Sequence, residues 1–243
     1  MASTQETGHA KNVANLQDLI AFTTAYGPTY NPSKNSLKFP ELNLLVTTAQ
    51  AALAEVITKN TEYNNKVNAR ATAFDGIRAL STRLINALQI TDASEKTIND
   101  AKGFNRKMQG KRASTIETPT DPNTPAPPTI STSQQSFDQL IQHFAGLIST
   151  LQSEPSYTPN EIDLQIPTLI AKQNDLTQKN NQVAIAYANV SNARIARDKT
   201  LYAPNTGLVD IATGVKKYIK SIFGATSPEF AQVSGIEFKS VKK

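Results

Sequence analysis

The sequence predicts an all-α fold: a helical bundle built from two tandem, pseudo-symmetric helical repeats with a Pro-rich linker. Three observations lead there. Apolar residues recur at i, i+3 and i+4 along most of the 243 residues, the spacing of amphipathic helices. Five of the 13 prolines crowd into residues 118–129. Each removes an N–H and pushes its predecessor out of the α region, so this stretch reads as an extended, semi-rigid linker. The residues before and after it also match one another in order. The expected division is therefore repeat 1 over 9–112, linker over 113–129 and repeat 2 over 130–239, packed as one bundle or as two.

Each repeat reads as helix, extended turn, long helix, helix, short helix. The first helix spans about 12–25, with Val13, Leu16, Leu19 and Ile20 on one face, and its counterpart spans about 133–152, with Phe137, Leu140, Ile141, Phe144, Leu147 and Leu151. Next come Leu37/Phe39 and Ile162/Leu164/Ile166, whose alternation suggests short extended pieces packing inward. The long helices are expected to start at Pro40 and Pro167, since Pro is tolerated in a first turn. At about 30 residues each would reach roughly 45 Å. Polar residues such as Asn60, Asn64, Asn180 and Asn181 interrupt their apolar seams. Third helices follow over about 74–90 and 206–223. Asp92-x-x-Glu95 resembles a capping box for a short fourth helix. Ser227-Pro228 offers Ser as N-cap and Pro at the first helical position for the last one. The tail Ile236-Glu237-Phe238 reads as extended.

The repeats align at fixed distances. Tyr30, Pro32, Leu37, Pro40 and Leu42 stand 127 residues before Tyr157, Pro159, Leu164, Pro167 and Leu169. Leu16, Leu19 and Ile20 are paired with Phe137, Leu140 and Ile141. Gly76-Ile77, Leu80, Thr82 and Leu84 are paired with Gly207-Leu208, Ile211, Thr213 and Val215. Shared helical composition explains the apolar spacing but not the paired Tyr-x-Pro and apolar-Pro signals.

Composition excludes several chemistries. There is no Cys, hence no disulfide, thiolate metal site or cysteine nucleophile. The two histidines, His9 and His143, fall into no zinc or di-iron motif. No phosphate-binding Gly-Lys-Ser/Thr loop occurs, and no Gly-x-Gly-x-x-Gly. No catalytic residue, cofactor or metal is expected, and the chain is read as not an enzyme. Tyr30 and Tyr157 are expected to anchor matched turns, and Arg70 and Arg194 to pair with carboxylates. The net charge is +5, with 14 Lys/Arg against 9 Asp/Glu in residues 1–112. Its clearest focus is Lys102, Arg106, Lys107, Lys111 and Arg112, a candidate anionic contact. Lys216, Lys217 and Lys220 form a second focus, and Lys239, Lys242 and Lys243 a third.

Several segments look familiar together: Gly8-His9-Ala10-Lys11-Asn12-Val13-Ala14-Asn15, then Tyr26-Gly27 with Tyr30-Asn31-Pro32-Ser33. Ser94 to Lys102 running on to Asn105-Arg106-Lys107 belongs with them, as does Gly207-Leu208-Val209-Asp210 with Val215-Lys216-Lys217-Tyr218. In these the chain resembles a family of uncharacterised, duplicated helical proteins of environmental Bacteroidota bacteria. The resemblance implies a bacterial origin and brings no assigned chemistry.

The functional expectation is a structural or interaction protein, a self-assembling scaffold or filament subunit. The expected partner is another copy of the chain, or else an unknown protein. No signal peptide and no transmembrane segment is read, so the expected location is cytoplasmic, with signal-independent export left open. Two alternatives stand beside it. One is a membrane-active, pore-forming-like helical protein, and the other a weak nucleic-acid binder acting through Lys102 to Arg112. The latter lacks the aromatic–basic interleaving of single-strand binders.

Overall fold

The structure, a computed structural model, describes residues 8–110 and 135–240. Lys111, Arg112, Lys242, Lys243, the Pro-rich stretch and the expected helix start at 133 lie outside them. The described residues are all-helical, without a strand. In chain order the helices are α1 (His9–Ala25), α2 (Phe39–Phe74), α3 (Ile77–Gln89), α4 (Glu95–Met108), α5 (Phe137–Gln152), α6 (Ile166–Tyr202), α7 (Leu208–Phe223) and α8 (Pro228–Ser234).

These form two compact units that cut across the division read from the sequence. A terminal unit takes residues 1–63 and 186–243, and a central unit takes 64–185. The reason is the length of α2 and α6. They run 36 and 37 residues without a break, beyond the 30 expected, and their asparagines do not stop them. Each helix begins in one unit and ends in the other. Hence α1 shares a unit with α7 and α8, while α5 shares one with α3 and α4.

The central core gathers Phe74, Leu84 and Leu88 with Met108, Phe144, Leu147, Leu151 and Leu176. Here α4 and α5 approach closely: a Cβ placed on Gly146 would collide with the Phe104 ring. The terminal core gathers Leu16, Leu19 and Leu42 with Leu201, Val215, Ile219 and Val233. On α1 the buried residues are His9, Asn12, Val13, Asn15, Leu16, Leu19 and Thr23. On α5 they are Leu140, His143, Phe144, Leu147, Ile148 and Leu151, five of which fall 128 residues after a buried residue of α1. At that offset Leu16 corresponds in sequence to Phe144, seven residues beyond the Phe137 expected.

Local signals decide the helix ends. Ser94, Ser136 and Ser227 each accept a hydrogen bond from the backbone N–H three residues on, at 3.2, 3.2 and 3.1 Å. These are N-caps, which satisfy donors a helix start leaves orphaned. Ser94 takes the role expected of Asp92, and α4 runs 14 residues rather than being short. Gly76, at φ 73°, breaks the chain between α2 and α3. Phe74 therefore closes α2 instead of opening the third helix.

The two Pro-containing turns share one device. The Tyr30 hydroxyl donates to the Leu37 carbonyl at 2.7 Å, and the Tyr157 hydroxyl donates to that of Leu164 at 2.9 Å. Asn35–Leu37 and Ile162–Leu164 are single 3-10 turns rather than extended pieces. Leu37 and Leu164 pack inward, whereas Ile162 is 75% exposed.

Candidate functional site

The described members of the basic cluster read from sequence lie toward the end of one helix. Lys102, Arg106 and Lys107 lie exposed on the second half of α4, with Arg106 and Lys107 in its last turn. Cations there complement the partial negative charge of the helix C-terminus. The Lys107 ammonium stands 5.7 Å from the centre of the Phe104 ring. These three residues line neither of the two concavities described here.

The structure brings the second basic focus together with Lys239, the one described residue of the third. Helix α7 buries Leu208, Ile211, Val215 and Ile219. That leaves Lys216, Lys217 and Lys220 off its core face. Beside them stand Phe230 of α8 and then Phe238 and Lys239 of the tail. Together they line an open groove of about 520 Å³. Among its ten lining residues are four lysines, against one acid, Glu237. Lys216 closes the end of α8, its ammonium donating to the carbonyls of Ser234 at 2.7 Å and Ile236 at 3.0 Å. Burial lowers its pKa, and Glu237 partly offsets this. The Lys220 ammonium lies 5.6 Å from the centre of the Phe230 ring.

The tail wall of this groove is held from α1. Asn12 donates to the Lys239 carbonyl at 2.8 Å and accepts from the Lys239 N–H at 2.9 Å. Asn15 donates to the Glu237 carbonyl at 2.6 Å. One turn of helix thus reads the main chain of a segment that has no regular secondary structure of its own. His9 Nδ1 lies 2.7 Å from the Tyr202 hydroxyl, which also accepts from Asn12 at 3.3 Å. Burial raises the Tyr202 pKa. Both His9 and Asn12 are buried. The network is therefore a clamp on the tail, inaccessible to a substrate. Sequence reading had no signal for it, because Asn12 and Lys239 lie 227 residues apart.

A second concavity, about 660 Å³, opens in the central unit beside Phe74, Asp75, Gly76 and Phe137. Its one arginine, Arg78, is committed to the Met108 carbonyl and to Gln135. Nearby, Arg70 stacks over the Phe137 ring at 4.0 Å and donates to Asn180, which in turn donates to Asp138. An amide thus stands between Arg70 and the carboxylate it was expected to meet. His143 is 7% exposed, and its Nε2 has no hydrogen-bond partner. Burial, followed by the nearby Lys107 charge, lowers its pKa.

Among the described residues no group of three or more His, Asp or Glu could hold a metal ion. No described helix is long and apolar enough to cross a membrane. No family model, curated protein or solved structure matches the chain.

Proposed function

We propose that this chain is a non-enzymatic interaction protein that assembles with copies of itself. The observation that carries the reading is the apolar surface left on the long helices. Within the terminal unit, Ile57 of α2 and Ile195 of α6 are 69% and 64% exposed, and Leu44 and Tyr187 are each 60% exposed. The Tyr63 and Tyr187 rings meet at 5.9 Å. Helix α2 begins in this unit and α6 ends in it, so stepping back from Tyr63 and forward from Tyr187 leads the same way. At 1.5 Å per residue, Ile57 and Ile195 then lie about 9 and 12 Å along their axes from the ring pair. Large aliphatic side chains exposed on both long helices of one unit offer apolar surface to a protein contact.

A tandem duplication supports the same reading. Its strongest signs are the two Tyr-to-Leu turn bonds, 127 residues apart, and the matched buried steps of α1 and α5. Two similar faces on one chain permit head-to-tail contacts that need not close. Sedimentation velocity of the full chain over a range of concentrations tests this. Species heavier than the 26.4 kDa monomer are expected, returning to monomer in an Ile57→Lys, Ile195→Lys double variant with an unchanged helical spectrum. Monomer alone at high concentration overturns the proposal.

A further inference from the structure

Beyond self-assembly, we infer that the groove between α7, α8 and the tail binds a small amphipathic anion, one with a carboxylate or phosphate head on an apolar body. Three observations converge on it. The volume, about 520 Å³, falls within the roughly 300–1,000 Å³ of small-molecule sites. The charge is one-sided, since Lys216, Lys217, Lys220 and Lys239 face a single acid. The lining is also apolar, because Phe230 and Phe238 stand beside the lysines. A simple inorganic anion would not use those rings, and a neutral hydrocarbon would leave the ammonium groups without a counter-charge.

The packing of the helix does not call for Lys217 and Lys220. Helices α3 and α7 both follow a glycine, Gly76 and Gly207, and bury matching steps: Ile77, Leu84 and Leu88 against Leu208, Val215 and Ile219. At the α3 steps that correspond to Lys216, Lys217 and Lys220 stand Ile85, Asn86 and Gln89. Ile85 is buried where Lys216 instead reaches out to close α8, and at the two outer steps α3 does without a cation. Lys217 and Lys220 are exposed, so their ammonium groups can turn to an incoming head group. Lys216 keeps one N–H beyond the two it spends on carbonyls. Asn12 and Asn15, by pinning the tail, hold Phe238 and Lys239 at the rim; they are positioning residues.

Titration calorimetry on the full chain with octanoate, 1-octanol and inorganic phosphate tests the inference. Saturable binding of one octanoate per chain is expected, with 1-octanol and phosphate each at least tenfold weaker. Lys217→Gln with Lys220→Gln should cost octanoate tenfold or more, and Phe238→Ala a comparable loss. Absence of saturable octanoate binding overturns the inference. So does 1-octanol or phosphate binding as tightly as octanoate, or a lysine double variant that binds like the parent. None of these outcomes depends on whether the chain self-assembles.

Discussion

The Tyr157 hydroxyl donates to the Leu164 carbonyl at 2.9 Å, closing a turn whose own 3-10 segment is only three residues long. Both residues are buried. Removing the hydroxyl leaves a carbonyl without its partner, so Tyr157→Phe should cost about 1–3 kcal/mol in urea unfolding. The turn also carries a pH signature. Burial, aided by Glu161 and Asp163, pushes the Tyr157 phenol up to about 12. The unfolded chain ionises near 10 and binds fewer protons than the native state above that. Stability should therefore fall from about pH 10 toward 12, less so in Tyr157→Phe.

Gly146→Ala should destabilise the central unit. The added methyl meets the Phe104 ring between α4 and α5, and overpacking of this kind costs about 1–3 kcal/mol. A companion Phe104→Leu change should recover part of the loss, read as a shift in the urea midpoint. A midpoint for Gly146→Ala equal to or above the parent's would mean the two helices can separate at no cost.

His143 makes the central unit acid-sensitive. Its pKa is lowered in the fold by burial and by Lys107. The unfolded chain thus takes up a proton near the ordinary histidine value of about 6.5 while the native chain does not. Stability should decline as pH falls below that value, levelling once the native pKa is passed. His143→Leu removes the buried Nε2 that has no partner and should flatten the profile between pH 7 and 5.

Asn12→Ala should release the tail. The variant loses both bonds to Lys239, so the amide of Lys239 should exchange its hydrogen markedly faster, while amides within α5 stay as protected as before. An unchanged Lys239 exchange rate would show that the packing of Phe238 holds the tail without Asn12.

What the sequence made legible was what neighbouring residues decide among themselves. Amphipathic spacing located α1, α5 and α7, and Ser227-Pro228 marked the start of α8. Tyr30 and Tyr157 stand at matched turns, as their shared context suggested. What escaped is set by distance along the chain. Nothing local in Asn12 or Asn15 indicates that they bind the main chain of residues 237 and 239. The grouping of α1 with α7 depends on α2 running through its asparagines to Phe74, where packing outweighs helix propensity. Lys102, Arg106 and Lys107 made a conspicuous cluster because they are close in sequence. The groove escaped notice as a unit because its lysines come from two separate segments.

The sharing of α2 and α6 between units also fixes an order of events as the chain is made. The central unit is complete once residue 185 has emerged. By contrast, α1, made before the other described helices, has no α7 to bury against until residues 208–223 follow. At about 5–20 residues per second, the apolar face of Val13, Leu16 and Leu19 waits on the order of ten to forty seconds in water. Among the described helices, α1 precedes the rest in the chain and is thus among the last to find its place.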